Sequence, residues 1–126
     1  MKVLVTGDRE WNDIPTVVET LQVFLPKTII VHGACSGADN TCAAVAEALG
    51  FTIRPYPADW IKYRKAAGPI RNQKMIDIEH VESEPIDMCL AFHNNIESSR
   101  GTADMVSRAK SAGIKVIYVK SLIIPT

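Results

Sequence analysis

Short, almost continuously apolar runs alternate with longer amphipathic stretches along the whole chain. The apolar runs are rich in β-branched residues, which is typical of buried strands. They predict five strands, at 2–7, 28–33, 51–56, 86–92 and 114–119. The stretches between them repeat apolar residues at helical spacing and predict four helices, at 13–25, 38–49, 70–81 and 102–112. We expect Asp13 to cap the first helix and Pro26 to end it.

This alternation predicts an α/β fold with a parallel sheet, since such strands are buried between helices on both faces. Right-handed crossovers favour the strand order 3-2-1-4-5. The 126 residues contain no internal repeat, low-complexity segment or linker. We therefore expect one Rossmann-like, three-layer domain over residues 1–126.

Charge and cysteine usage narrow the classes of function. Fourteen Lys and Arg balance fourteen Asp and Glu, which disfavours tight, sequence-independent binding of nucleic acid. The three cysteines, Cys35, Cys42 and Cys89, form no CxxC pair, which favours a reduced, cytoplasmic protein. No signal-peptide pattern and no apolar run of about 20 residues is present, so we expect no membrane partner.

Polar, glycine-containing segments follow the first four predicted strands, at 7–11, 32–40, 58–72 and 93–104. The carboxyl ends of parallel strands meet at one edge of a sheet, where open α/β sheets bind their ligands. Plain connecting loops would be spread over both edges. The convergence of these four segments therefore predicts a ligand site at that edge.

Two of these segments open predicted helices and suit an anion. Free backbone N–H groups and the helix dipole at a helix start favour negative charge. In GACSGAD, Gly33 and Gly37 allow tight turns, and Ser36 or Asp39 is expected to cap the helix. In SSRGT, a glycine leaves room for a ligand beside hydroxyl groups and a cation.

Arg71 follows a Gly-Pro pair at the start of the third predicted helix, where its guanidinium can fork onto a phosphate or ribose oxygen. Trp60 either stacks on a base or packs in the core. The predicted ligand-binding residues are Gly7, Asp8, Arg9, Gly33, Ser36, Gly37, Asp39, Asp59, Trp60, Arg71, Asn72, Ser99, Arg100, Gly101 and Thr102.

Carboxylates and metal ligands are the remaining candidates for chemistry. Two of Asp8, Asp39, Asp59 and Asp104 could act as acid and base, but the sequence does not say which ones meet. The HxxC spacing that ends at Cys35 lacks the second pair of a zinc site. We predict neither a metal site nor a cofactor.

The segments TGDREWND, VHGACSGAD, PADWIKYRKAAGPIRNQKM and GTADMVSRAKSAGIKV resemble the YspA-type, cpYpsA-related branch of the SLOG superfamily, which occurs in bacteria and phages. The resemblance runs from about residue 2 to 119. It implies a Rossmann-like sheet and a pocket for a nucleotide or a nucleotide derivative. Related SLOG proteins include the LOG phosphoribohydrolases and the DNA-uptake protein DprA, and SLOG relatives often assemble into oligomers.

The resemblance to LOG enzymes extends to single residues. Arg71 and Met75 match the catalytic RKxxM segment, and Gly101 and Thr102 match the PGGxGTxxE segment. Ser98 and Ser99 replace the paired glycines, however, and Met105 stands where LOG enzymes have a catalytic glutamate. A thioether is neither acid nor base. If the chain is an enzyme, the resemblance implies Arg71 as a catalytic residue. We then expect a carboxylate such as Asp8, Asp39 or Asp104 to assist the attack of water, and Asp104 is next to the position of the missing glutamate.

These observations rank three functions. The first is a sensor or binding module for a nucleotide or nucleotide-derived ligand, such as a nucleoside monophosphate or an ADP-ribose-like molecule. The alternative is a LOG-like enzyme that cleaves the N-glycosidic bond of nucleoside 5′-monophosphates. DprA-like DNA binding is disfavoured by the zero net charge. We also expect a homo-oligomer, with the apolar tail at 121–126 packed on the core or against a partner.

Overall fold

A five-stranded parallel sheet organises residues 1–122, the part of the chain that the computed structural model describes. The strands are β1 (Lys2–Gly7), β2 (Ile29–His32), β3 (Thr52–Pro55), β4 (Met88–Phe92) and β5 (Val116–Val119). Their order is β3-β2-β1-β4-β5, and each neighbouring pair is parallel. The predicted fold class and strand order are confirmed.

Residues 1–122 contain five helices, four of which pack on the two faces of this sheet. They are α1 (Ile14–Leu21), α2 (Ala38–Ala48), α3 (Trp60–Tyr63), α4 (Ala67–Glu79) and α5 (Arg100–Ser111), with short 3₁₀ turns at Arg64–Ala66 and Ile96–Ser98. Within β1, Val3 and Val5 pack with α1 and α2, whereas Leu4 packs with α4 and α5. This alternation along a strand separates the core into two clusters, one on each face.

Two predicted helix ends differ from the observed ones by three or more residues. Helix α1 ends at Leu21, four residues before the predicted end, so Pro26 does not stop it. Helix α4 begins at Ala67 rather than at residue 70, because the Gly-Pro pair lies within its first turn, where a missing proline N–H costs nothing. Asp13 caps α1 as predicted, and its side chain accepts a hydrogen bond from the Thr16 backbone N–H.

The end of the described chain passes close to the start of α1. The backbone N–H of Leu122 donates to Oδ2 of Asp13 at 2.9 Å. The rest of the tail, for which we expected contact with the core or with a partner, lies outside the described residues. No helix within residues 1–122 has both the length and the apolar character needed to cross a bilayer.

Candidate functional site

A cleft of about 510 Å³ opens at the carboxyl ends of β1, β2 and β4. We call it the main cleft. Its volume lies in the range of small-molecule sites, and all four of the predicted polar segments contribute to its walls. The predicted residues that line it are Gly7, Asp8, Arg9, Gly33, Asp39, Arg71, Asn72, Ser99, Arg100, Gly101 and Thr102.

Arg71 lies buried in the wall of the main cleft, with a relative exposure of 9%. Its Nη1 donates to the backbone carbonyls of Gly33 and Tyr56, and its Nε donates to Oδ1 of Asn72 at 2.8 Å. No carboxylate within residues 1–122 forms an ion pair with this guanidinium. The charges of Asp39 and Asp104 act on this guanidinium only from further away, so an anion that enters the cleft would gain from pairing with it directly.

Gly33 makes this position of Arg71 possible. A Cβ at residue 33 would lie 2.6 Å from Nη1 of Arg71. The guanidinium rests directly on the glycine backbone, and any side chain would push it out of place. The predicted need for glycine here therefore has a specific cause, which is close approach by an arginine.

A chain of hydrogen bonds behind the cleft holds Asn72. Its Nδ2 donates to Oδ2 of Asp104 at 2.9 Å, and Nε of Arg108 donates to the same oxygen at 2.8 Å. Partial burial raises the pKa of Asp104, but these hydrogen bonds outweigh it and hold that pKa below its usual value. Asp104, the carboxylate predicted as catalytic, is not among the residues that line the main cleft. It contacts Asn72, which in turn contacts Arg71.

The start of α5 faces the main cleft with open space before it. Ser99 caps the helix, and its Oγ accepts from the Thr102 backbone N–H at 3.1 Å. A Cβ built on Gly101 would meet nothing within 4 Å. Arg100, the first residue of α5, is exposed and lines the cleft. This helix start thus combines a cation, hydroxyl groups and unobstructed backbone, as an anion requires.

The start of α2 is closed by the protein's own groups. Oδ2 of Asp39 accepts from the backbone N–H groups of Gly33 at 2.9 Å and Cys35 at 3.4 Å. The backbone N–H of Ala38 donates to the carbonyl oxygen of Asp8 at 3.0 Å. The cap residue is Gly37, which has no side chain to bond with. The prediction that Ser36 or Asp39 caps α2 is therefore wrong, because Asp39 turns back into the loop that precedes the helix.

The environment of Asp39 alters its acidity. Burial raises the pKa of Asp39 to about 6, although the hydrogen bonds from Cys35 and Gly33 and the charge of Arg71 oppose the rise. Burial, together with the charge of the same guanidinium, lowers the pKa of His32 at the neighbouring strand end. The carboxyl group of Asp39, which lines the main cleft, can thus exchange a proton near neutral pH.

A smaller compartment of about 360 Å³ adjoins the main cleft, and both are lined by Arg9, Gly33, Cys35 and Arg71. We call it the base compartment. Ser36 and Trp60, two further predicted residues, line this compartment and not the main cleft.

The remaining two predicted residues lie apart from both spaces. Gly37 has φ +75°, and a Cβ there would overlap the carbonyl oxygens of Asp8 and Arg9. It shapes the turn before α2. Asp59 caps α3 and accepts from the Lys62 backbone N–H at 3.0 Å. Its carboxylate fixes the turn that carries Trp60.

Several residues that line the main cleft were absent from the predicted set, namely Val5, Thr6, Cys35, Met75, His93 and Ser98. Thr6 lies near the end of β1, and His93 directly follows β4. Their positions at strand ends could have predicted them as cleft residues. Nε2 of His93 lies 4.0 Å from Oδ2 of Asp8. Met75 lies one helical turn after Arg71 and so faces the same way.

Two kinds of chemistry find no support in the geometry. Met105, at the position of the LOG glutamate, is fully buried in the core against the sheet. It cannot contact a ligand in the cleft. Within residues 1–122, no group of three or more His, Cys, Asp and Glu side chains is placed to hold a metal ion.

Comparison with known proteins identifies relatives of this chain. The family model for "YspA, cpYpsA-related SLOG family" matches residues 1–63, half of the chain. The chain is also 35% identical over 125 residues to the Gene 61 protein of Mycobacterium phage D29, and the match covers 92% of this chain and 94% of that protein. The similarity therefore spans nearly all of both proteins. The chain belongs to the YspA, cpYpsA-related SLOG family.

Proposed function

We propose that the protein is a binding module or sensor that holds a nucleotide or nucleotide-derived ligand in the main cleft. Candidate ligands are nucleoside monophosphates and ADP-ribose-like molecules, and membership of a SLOG family favours a nucleotide-related ligand. The observation that carries the proposal is the buried guanidinium of Arg71. It has no ion-pair partner within residues 1–122, and it lines the same cleft as the open start of α5.

The charges around the cleft support a phosphate group. Arg9, Arg71 and Arg100 line it together with the carboxyl groups of Asp8 and Asp39. A helix dipole alone contributes only about 0.3–1 kcal/mol at an exposed site. Charge-assisted hydrogen bonds from a guanidinium contribute about 1.5–3 kcal/mol each. The arginines, rather than the dipole, would therefore supply most of the affinity for phosphate.

Calorimetry tests this proposal with a panel of nucleoside monophosphates, ADP-ribose, NAD and cyclic nucleotides. We expect at least one of them to bind, and Arg71→Gln to weaken that binding about 10- to 100-fold. Arg64→Gln is the matched control, because it removes one positive charge from an exposed residue that lines neither compartment. The proposal fails if no ligand binds the folded protein at millimolar concentration, or if the two variants behave alike.

Asp39 favours a second candidate, a nucleoside 5′-monophosphate N-glycosidase. Its carboxyl group lines the cleft with a pKa of about 6. Near neutral pH, such a carboxylate can take a proton from a water molecule that attacks the anomeric carbon. The C1′–N bond breaks, and the departing base takes up that proton and leaves as a free nucleobase. Arg71 would hold the phosphate in this scheme.

Chromatography of protein incubated with AMP, GMP, CMP and deoxynucleoside monophosphates separates the two candidates. An enzyme would release free base, at a rate that increases as pH rises through about 6. Asp39→Asn would abolish the release and leave phosphate binding in place. If no free base accumulates from any of these nucleotides, the glycosidase is excluded for them and the binding module remains.

A further inference from the structure

The two tryptophans of the chain occupy opposite environments. Trp11 is 6% exposed and packs edge-on against Phe92, with the ring centroids 5.5 Å apart. Trp60 is 47% exposed and lines the base compartment. The choice between core packing and ligand contact, which the sequence left open for Trp60, is therefore decided against the core. A large, half-exposed indole ring in the wall of a cleft needs another explanation.

The indole of Trp60 is held in place although much of it is exposed. It belongs to the first turn of α3, which the side chain of Asp59 caps. The far end of the ring lies beside the first turn of α4, where a Cβ at Gly68 would be in ordinary van der Waals contact with it at 3.5 Å. The guanidinium of Arg9 lies 5.8 Å from the ring centroid, within the range of a cation–π contact. A fixed aromatic surface of this kind is suited to stacking, because little side-chain freedom is lost when a planar ligand binds.

The base compartment and the main cleft differ in chemistry and meet at two arginines. Trp60, Pro57 and Ala58 line only the base compartment. The start of α5, with its cation and hydroxyl groups, lines only the main cleft. Arg9 and Arg71 line both. A phosphate held at these arginines would have an aromatic wall on one side and a polar cleft on the other.

We infer that the base compartment holds the aromatic base of the ligand, stacked on Trp60. The ligand class is then a nucleoside 5′-phosphate whose phosphate carries a further phosphate or sugar. The base lies on Trp60, the bridging phosphate lies at Arg9 and Arg71, and the added group lies in the main cleft towards Arg100. This inference rests on the proposed function and adds to it the orientation of the ligand and the preference for a substituted phosphate.

Fluorescence gives a direct readout, because Trp60 is the exposed one of the two tryptophans. We expect AMP, ADP and ADP-ribose to quench the emission of the wild-type protein. Ribose 5-phosphate should bind by calorimetry without quenching, since it has no base. In Trp60→Phe the remaining tryptophan is the buried Trp11, so the quenching should disappear while binding persists, because phenylalanine can still stack.

Affinities of a second variant test the energetics. Stacking of a base on an aromatic side chain corresponds to about a 5- to 100-fold change in affinity. Trp60→Ala should weaken the binding of AMP and ADP-ribose by such a factor and leave the affinity for ribose 5-phosphate unchanged. Tyr63→Ala is the matched control, since Tyr63 is a partly exposed aromatic on the same helix that lines neither compartment. ADP-ribose should bind at least tenfold more tightly than AMP.

The outcomes separate this inference from the proposed function. If ligands bind but Trp60→Ala matches Tyr63→Ala, the base lies elsewhere and only the inference is overturned. Equal affinities for AMP and ADP-ribose would overturn the predicted place of the added group. If neither the nucleotides nor ribose 5-phosphate binds the folded wild-type protein, the proposed function and the inference fail together.

Discussion

The segments GACSG, before α2, and SSRG, where α5 begins, look alike in sequence and differ in what they leave available. Each contains glycine and serine at a helix start on the ligand edge of the sheet, although Gly37 precedes α2 whereas Gly101 is the second residue of α5. In the first, the carboxylate of Asp39 already accepts from the backbone N–H groups of Gly33 and Cys35. In the second, open space lies in front of Gly101. The first loop binds an internal anion, so only the second is free to receive an external one.

The comparison shows that a glycine-rich helix start is a potential anion site and nothing more. Whether it accepts a ligand depends on the nearest carboxylate of the protein itself. Asp39 stands six residues after Gly33 and reaches back to it across the loop. No equivalent contact from Asp104 reaches the loop before α5, because its carboxylate is bonded to Asn72 and Arg108.

The largest expected effect comes from adding a methyl group to the closed loop. Gly37→Ala would force a side chain into a backbone with φ +75° and against two carbonyl oxygens, so we expect a loss of about 3 kcal/mol or more of folding stability. Gly101→Ala, its counterpart in the first turn of α5, should change stability by less than about 1 kcal/mol, since a helical alanine is favourable and its Cβ would meet nothing within 4 Å. Urea unfolding of both variants measures the difference, and equal losses would show that the two loops are equally packed.

A second effect of similar size is a pH dependence of folding stability. It arises from Asp39, whose carboxyl group closes the loop before α2. Folding raises the pKa of Asp39 from 3.8 to about 6, so the folded protein keeps this proton to higher pH than the unfolded chain does. The stability contributed by the protonated carboxyl is complete below about pH 4 and is lost as pH rises through about 6. The full loss corresponds to about 3 kcal/mol.

Asp39→Asn isolates this effect, because asparagine stays uncharged and can still accept both backbone N–H groups. The free energy of unfolding of the variant minus that of the wild type should increase by up to about 3 kcal/mol between about pH 4 and about pH 7. Chemical denaturation at several pH values provides the measurement. A difference that does not change with pH would mean that Asp39 titrates as an exposed carboxyl does.

The smallest effect concerns the two serines. Ser99→Ala should cost about 1 kcal/mol, since Ser99 caps α5 through its hydroxyl group. Ser36→Ala should leave stability unchanged, because the exposed Ser36 does not cap α2. Thermal unfolding resolves the two cases. A loss at residue 36 as large as that at residue 99 would contradict the assignment of the caps.

Much of the fold could be predicted from the sequence, because the strands are nearly continuous apolar runs and right-handed crossovers limit their order. Helix α3 could not, since a single turn at 60–63 has no apolar periodicity. The site was predictable as a region, because the carboxyl ends of the strands must meet. The roles of Asp39 and Asp104 could not be predicted, because each depends on the distant group that its carboxylate contacts. Asp39 accepts from the Gly33 N–H, and Asp104 accepts from Asn72.

The open start of α5, and not the start of α2, receives the terminal phosphate of the ligand. Titration of ¹⁵N-labelled protein with ADP tests this residue by residue. We expect the backbone amide signals of Arg100 and Gly101 to shift and to saturate with the calorimetric Kd. Those of Gly37 and Ala38, at the start of α2, should shift little, because they line neither compartment and the Ala38 N–H already donates to the Asp8 carbonyl. Large shifts at residues 37–38, with no change at residues 100–102, would contradict this assignment.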